Sequence, residues 1–154
     1  MFVASHDTNG FTVLELTVSL IIISVLVAIA VPRVLDDGDA RLATAGKMIC
    51  SDIATVRNLA VASGATMEIT FNAYSYSVKN VNTGGQVTGY GRFPVSSLSS
   101  DLGIAINTTG KIKFNSLGEP SSDSLSFLTI SLVSNPGRTK QINIERETGY
   151  AKVQ

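Results

Sequence analysis

Between Phe11 and Val31 the chain runs for 21 residues with a single ionisable side chain, Glu15. A helix of that length rises about 30 Å, the thickness of a bilayer's hydrocarbon core, so the run is long enough to span a membrane. Its other polar side chains, Thr12, Thr17, Ser19 and Ser24, carry hydroxyls that can bond back to a carbonyl one turn earlier. A carboxylate has no such recourse. It costs about 2.5–3.5 kcal/mol at the membrane centre on insertion scales, less near an end, and ordinarily has a partner. The nearest cation on the C-terminal side is Arg33, 18 residues beyond Glu15, about 27 Å away along a helix. The partner must therefore come from elsewhere.

Cleavage after Gly10 would supply one, because the new α-amino group on Phe11 has an ordinary pKa of about 7.7–8.0 and sits one helical turn from Glu15. It would pair with Glu15 of its own chain or of a neighbouring helix. Gly10, Phe11 and Glu15, the fifth residue after such a cut, resemble the type IV prepilin signature. The likeness continues through Leu14, Leu16 and the Ile/Val/Leu/Ala run to Pro32. It implies that a membrane prepilin peptidase cuts between Gly10 and Phe11 and N-methylates Phe11. It further implies that Glu15 meets the N-terminus of an adjacent subunit during assembly, and that Pro32 bends the helix. Glycine suits the cut because, lacking a Cβ, it lets another backbone approach closely. These residues are substrates and contacts, not catalysts.

Two other roles compete for the same run. The leader, 1–10, has no Lys or Arg and carries Asp7, so the positive-inside rule gives no orientation; Arg33 on the far flank is followed by Asp36, Asp37 and Asp39. Ala28-Ile29-Ala30 offers an A-x-A site for an ordinary secretory signal peptidase, but the run exceeds the usual apolar stretch of about 7–15 residues. An uncleaved signal anchor is the second alternative. Neither accounts for Glu15.

The 154 residues suit one modest domain beyond the anchor. Twelve basic side chains balance 12 acidic ones, and loss of the leader with Asp7 leaves +1. General affinity for polyanions does not follow. Cys50 is the sole cysteine, which excludes an internal disulfide, and at its helical spacing it packs rather than reacts. The single histidine, His6, lies in the leader, so a mature chain has no imidazole for a triad or a metal site. Asp36, Asp37 and Asp39 lack EF-hand spacing and read as a solvated patch. No enzyme, cofactor or metal site is expected.

Beyond Pro32, residues 32–39 read as a hinge, with Asp39 placed to cap a second helix. Leu42, Ala45, Ile49, Ile53, Val56 and Ala60 recur at three and four residues, predicting an amphipathic helix over 40–63 that ends at Ser63-Gly64. Arg41, Lys47, Asp52 and Arg57 are assigned to its solvated face. From Ala65 the period changes to two, and 65–154 reads as a β-rich domain. Strands are predicted over 67–71, 74–81, 86–93, 104–106, 111–114, 125–133, 139–146 and 150–153. A turn at Thr109-Gly110 would join the fourth to the fifth, and Ser96 to Asp101 would form a surface loop. Lys111 and Lys113 fall on one face of a strand, as do Arg138 and Lys140.

This order of elements is α+β and pilin-like: a long N-terminal transmembrane helix continuing into an amphipathic helix packed on an antiparallel sheet. Residues 112–118, with Phe114 and Gly118, and the ending through Thr148-Gly149-Tyr150 resemble the two C-terminal landmarks of GspH/FimT-type minor pilins and type II secretion pseudopilins. Membership would imply a structural subunit of a bacterial inner-membrane assembly with its β-domain in the periplasm. Its partners would be prepilin peptidase, other pilins or pseudopilins and the assembly platform. Some members of that group bind DNA through a basic C-terminal motif. The matching place here, Gly149-Tyr150-Ala151-Lys152, lacks the arginines and follows Glu145 and Glu147, leaving Arg138, Lys140 and Lys152 as the candidate phosphate contacts.

Overall fold

The structure, a computed structural model, describes residues 11–35, 37–90 and 92–154, the side chains of 29–35 excepted. The leader 1–10, with His6 and Gly10, and Asp36 lie outside the described residues. The chain divides into two compact units, one ending at Asp37 and the other Gly38–Gln154.

Among its described residues the first unit holds one helix, α1 (Val13–Leu35). Its backbone continues through Pro32, so among the described residues of 32–39 Asp37 alone stands outside a helix, and Asp39 lies in the first turn of the next helix. The hydroxyls of Thr17 and Ser24 donate to the Leu14 and Leu20 carbonyls at 2.8 and 2.7 Å, which satisfies both without water. Among the described residues no helix is long and apolar enough to cross a membrane. The stretch of α1 with described side chains stops at Ala28, short of the predicted end at Val31.

The second unit is built on α2 (Gly38–Ser63). All six residues of the predicted apolar stripe are buried to 1% exposure or less, because positions three and four apart stack on one helix face. The helix ends as its sequence demands. Gly64 adopts a positive φ of 63°, its N–H donates to Val61, and Ala65 N–H reaches back to the Ala60 carbonyl, the paired bonds of a Schellman close.

Against this face lie two antiparallel sheets. The first has the order β2–β1–β4, from β1 (Met67–Phe71), β2 (Tyr76–Asn80) and β4 (Gly110–Phe114). The second runs β3–β5–β6–β7, from β3 (Ile104–Ile106), β5 (Phe127–Leu132), β6 (Thr139–Ile144) and β7 (Ala151–Val153). Alternate residues face inward: Met67, Ile69 and Phe71 on β1, Ile112 and Phe114 on β4, Leu128, Ile130 and Leu132 on β5, and Ile142 and Ile144 on β6 all join the core. Tyr76 packs between Phe71 and Phe93, with ring centroids 5.5 and 6.3 Å away.

Three expectations for this unit change. Thr109-Gly110 does not close a hairpin: β3 pairs with β5 (Ile104↔Leu132) while β4 pairs with β1 (Ile69↔Ile112), so the chain passes from one sheet to the other there. Among the described residues of 86–93 no strand forms. Gly85 and Gly89 leave that stretch little β-branched surface to pack, and it is held by Phe93 in the core and an isolated bridge at Gln86. The predicted loop over 96–101 contains a short helix, α3 (Leu98–Leu102), because Leu98 buries and Gly103, at φ 66°, supplies a left-handed end.

Gly46 sets how closely α2 approaches the second sheet. A Cβ there would lie 2.9 Å from Val153 Cγ2 and 3.3 Å from Cγ1, with Ile130 Cδ1 3.7 Å away. On an exposed helix face, replacing glycine with leucine stabilises by some tenths of a kcal/mol up to about 1. At this site Gly46→Leu is expected to destabilise by about 1–3 kcal/mol through overpacking, read by urea denaturation. A stabilised variant would contradict the contact.

Candidate assembly site

The head of α1 is organised by Thr12. Its carbonyl accepts the Leu16 N–H at 3.1 Å and its hydroxyl oxygen accepts the Glu15 N–H at 3.2 Å, so Thr12 is the N-cap and Glu15 the third helical residue. This is the Thr-x-x-Glu spacing of a capping box. The first-turn position also places the carboxylate where the helix dipole favours negative charge. Glu15 is exposed, and among the described residues no cation pairs with it. Around it stand large apolar side chains left open: Phe11 and Leu14 are 75% exposed and Leu16 54%. An anion on an uncovered apolar helix is chemically suited to a cationic partner offered by another apolar surface.

In the globular unit, the two C-terminal landmarks meet. Gly149, at φ 68°, comes so close to Phe114 that a Cβ would fall 2.6 Å from Cε1, and 3.3 Å from the Gly118 carbonyl. That carbonyl accepts a hydrogen bond from Arg57 Nε of α2 at 3.1 Å. Phe114, Gly118, Gly149 and Arg57 therefore tie both sheets to the helix, which removes Arg57 from the solvated set.

Asp52 also leaves that set. It is 8% exposed, accepts from the Tyr76 hydroxyl, and pairs with Arg92 at 2.6 Å. Arg92 also donates to the Tyr76 oxygen at 3.1 Å. Burial, and then the hydrogen bond to the Asp52 carboxylate, push the Tyr76 hydroxyl well above its ordinary value, keeping it a donor. The signal was present in the sequence: Asp52 lies three after Ile49 and four before Val56, on the apolar stripe itself.

On the outward side of the first sheet, the register sets Glu68 directly between Lys79 and Lys113. Glu68 is 5% exposed, with Lys79 at 2.9 Å, Lys113 at 3.8 Å and Lys111 at 4.0 Å. Burial alone would raise its pKa, but the Lys79 hydrogen bond and the three ammonium charges outweigh it and hold the carboxyl below its ordinary range. Lys113 also bonds Asp123 at 3.1 Å. The lysine face is thus a compensated charge lattice.

The remaining expected residues do not converge. Lys140 stands opposite Ile130 and shares its face of β6 with Ile142, whereas Lys152 stands opposite Asn143, so side-chain alternation puts the two lysines on opposite faces. Arg138 lies in the turn before β6, its N–H bonded to the Asn135 carbonyl. Cys50 packs against the core, and burial pushes its thiol up, away from the reactive thiolate. Among the described residues no three His, Cys, Asp or Glu side chains gather as a metal site.

Residues 6–31 match the family described as the prokaryotic N-terminal methylation motif. No curated protein sequence matches the chain. Among solved structures, the fold is similar to the type IV minor pilin FimU of Pseudomonas aeruginosa (strain PAO1), with a TM-score of 0.57 and 11% identity over 75% of this chain and 90% of that one. A methylation motif heading a pilin fold makes this chain type IV pilin-like.

The Glu68 cluster gives a pH-dependent expectation. Because the folded pKa is depressed, the stability Glu68 contributes is fully present above its unfolded value near 4.3 and is lost as pH falls through the lower folded value. The stability gap between the unsubstituted chain and Glu68→Gln is therefore expected to be widest above about pH 4.3 and to close on acidification, followed by thermal melts across pH 2–7. A gap that ignores pH would remove the lysines from the account.

Proposed function

We propose that this chain is a minor pilin or pseudopilin of the GspH/FimT type, a structural subunit of a type IV pilus or type II secretion pseudopilus that catalyses nothing itself. The observation that carries this is Glu15, an exposed carboxylate with no paired cation among the described residues, one turn into an uncovered apolar helix and inside the methylation motif. A prepilin peptidase cuts between Gly10 and Phe11 and methylates Phe11, whose amine remains cationic. The run 11–31, about 30 Å long as a helix, holds the subunit in the bacterial inner membrane with the globular unit in the periplasm. On assembly, the Phe11 amine of one subunit pairs with Glu15 of its neighbour, and the apolar surface of α1 passes from lipid to protein. Pro32 and the break at Asp37 let the globular unit be presented independently of the packed helix. The partners are the peptidase, other pilins or pseudopilins and the inner-membrane platform. Nucleic acid is not favoured, because Lys140 and Lys152 fall on opposite sheet faces.

Intact mass and N-terminal sequencing of the membrane-extracted protein are expected to give a methylated Phe11 as first residue. A first residue of Val31 would mean an ordinary signal peptide, and a retained Met1 a plain anchor. Glu15→Ala is expected to insert and be cleaved normally while incorporation into filaments falls at least about tenfold, the effect of losing a partnered charge of at least about 1.4 kcal/mol. Unchanged incorporation would reject the assembly role.

A further inference from the structure

β7 is an edge strand: the second sheet ends with it, and among the described residues its one strand partner is β6. The bonds Glu145 N–H to Tyr150 O and Gln154 N–H to Gln141 O bracket the ladder. By antiparallel alternation, Tyr150, Lys152 and Gln154 bond inward to β6, and the N–H and C=O groups of Ala151 and Val153 point to the open side. Beside that edge run two adjoining grooves. One of about 270 Å³ is lined by Lys47, Cys50, Tyr150, Ala151, Lys152 and Val153, and the other, of about 240 Å³, shares Cys50, Tyr150 and Ala151 with it and reaches Arg57. No acid lines either. Lys47 and Lys152 are exposed, and among the described residues neither is paired with a carboxylate.

We propose that this edge and groove receive an extended, acidic segment of another polypeptide, which adds a fifth strand to the sheet. The free backbone groups select a strand, since a helix has already bonded its own amides and carbonyls. The two lysines select acid. Lys47 lies on the helix beneath the sheet, while Lys152, opposite Asn143, projects from the outer face. Successive residues of a strand point to opposite faces, so two adjacent carboxylates on the guest reach one lysine each. Tyr150, 64% exposed at the head of the groove, offers a ring for the guest to lie against. A second copy of this chain is a poor guest. β7 paired to itself about a two-fold axis would bring Lys152 close to its own mate, and like charges opposed on neighbouring strands repel.

The test uses the full chain, ¹⁵N-labelled in detergent micelles, and a capped hexapeptide Thr-Val-Asp-Glu-Val-Thr. Binding is expected to shift the Ala151 and Val153 amides and to slow their hydrogen exchange at least about tenfold. N-methylating alternate peptide amides, or replacing its two acids with lysine, is expected to abolish both effects. Lys47→Glu with Lys152→Glu, both on exposed side chains, is expected to weaken the acidic peptide and admit the lysine peptide. Four results would overturn the proposal: amides at 151 and 153 already protected in the free chain, equal binding of the lysine peptide, self-association through β7, or the same shifts with a single-stranded oligonucleotide.

Discussion

Burial of one face of α2 is the contact on which the globular unit depends. It is the element that touches both sheets, meeting β1 and β4 of the first and β5, β6 and β7 of the second. Ile49, Ile53 and Val56 are wholly excluded from water between them. Fully burying a side chain of that kind is worth about 1.5–3 kcal/mol, and the two sheets share no strand through which either could stabilise the other. Polar anchors then fix what the apolar face leaves free. Arg57 ties the 115–118 turn to the helix, and Asp52 ties down both β2 and the irregular stretch that carries Arg92.

This arrangement explains how a chain without a disulfide holds a β-rich unit together. The helix presents small residues where strands come closest, as at Gly46, and branched ones where the sheets leave room. The irregular segment between β2 and α3 has no ladder of its own, yet Phe93 and the Arg92 ion pair pin it at both layers. What the protein offers outward is an N-terminal helix with one exposed anion and a globular surface on which the lysines over Glu68 are paired.

Periodicity revealed α2, β1, β5 and β6 because burial there follows a fixed geometric repeat, and six apolar positions on α2 were legible residue by residue. The prepilin-like signature was legible for a different reason, since it is a run of neighbouring residues that needs no distant pairing to be recognised. Sheet membership was not legible. Nothing in Ile104-Ala105-Ile106 or in 110–114 records which distant strand each will meet, so a turn signal at Thr109-Gly110 suggested a hairpin that the pairing does not form. Side-chain chemistry alone assigns Asp52 and Arg57 to solvent, and nothing local marks Glu68 as buried. Each is drawn inward by a partner far along the chain: Tyr76 and Arg92 for Asp52, the Gly118 carbonyl for Arg57, and Lys79 with Lys111 and Lys113 for Glu68.

The setting of Glu68 makes the two signs of charge unequal in evolution. One anion beneath three lysines is over-neutralised, so Lys111 or Lys113, at 4.0 and 3.8 Å, can be exchanged while Lys79, at 2.9 Å, still holds the buried carboxylate. Loss of the carboxylate has no such reserve, because it leaves three like charges crowded over β1 with only Asp123 nearby. Lys111 and Lys113 are therefore the positions with most freedom to change, and the acid beneath them is the fixed point around which that surface can be redrawn.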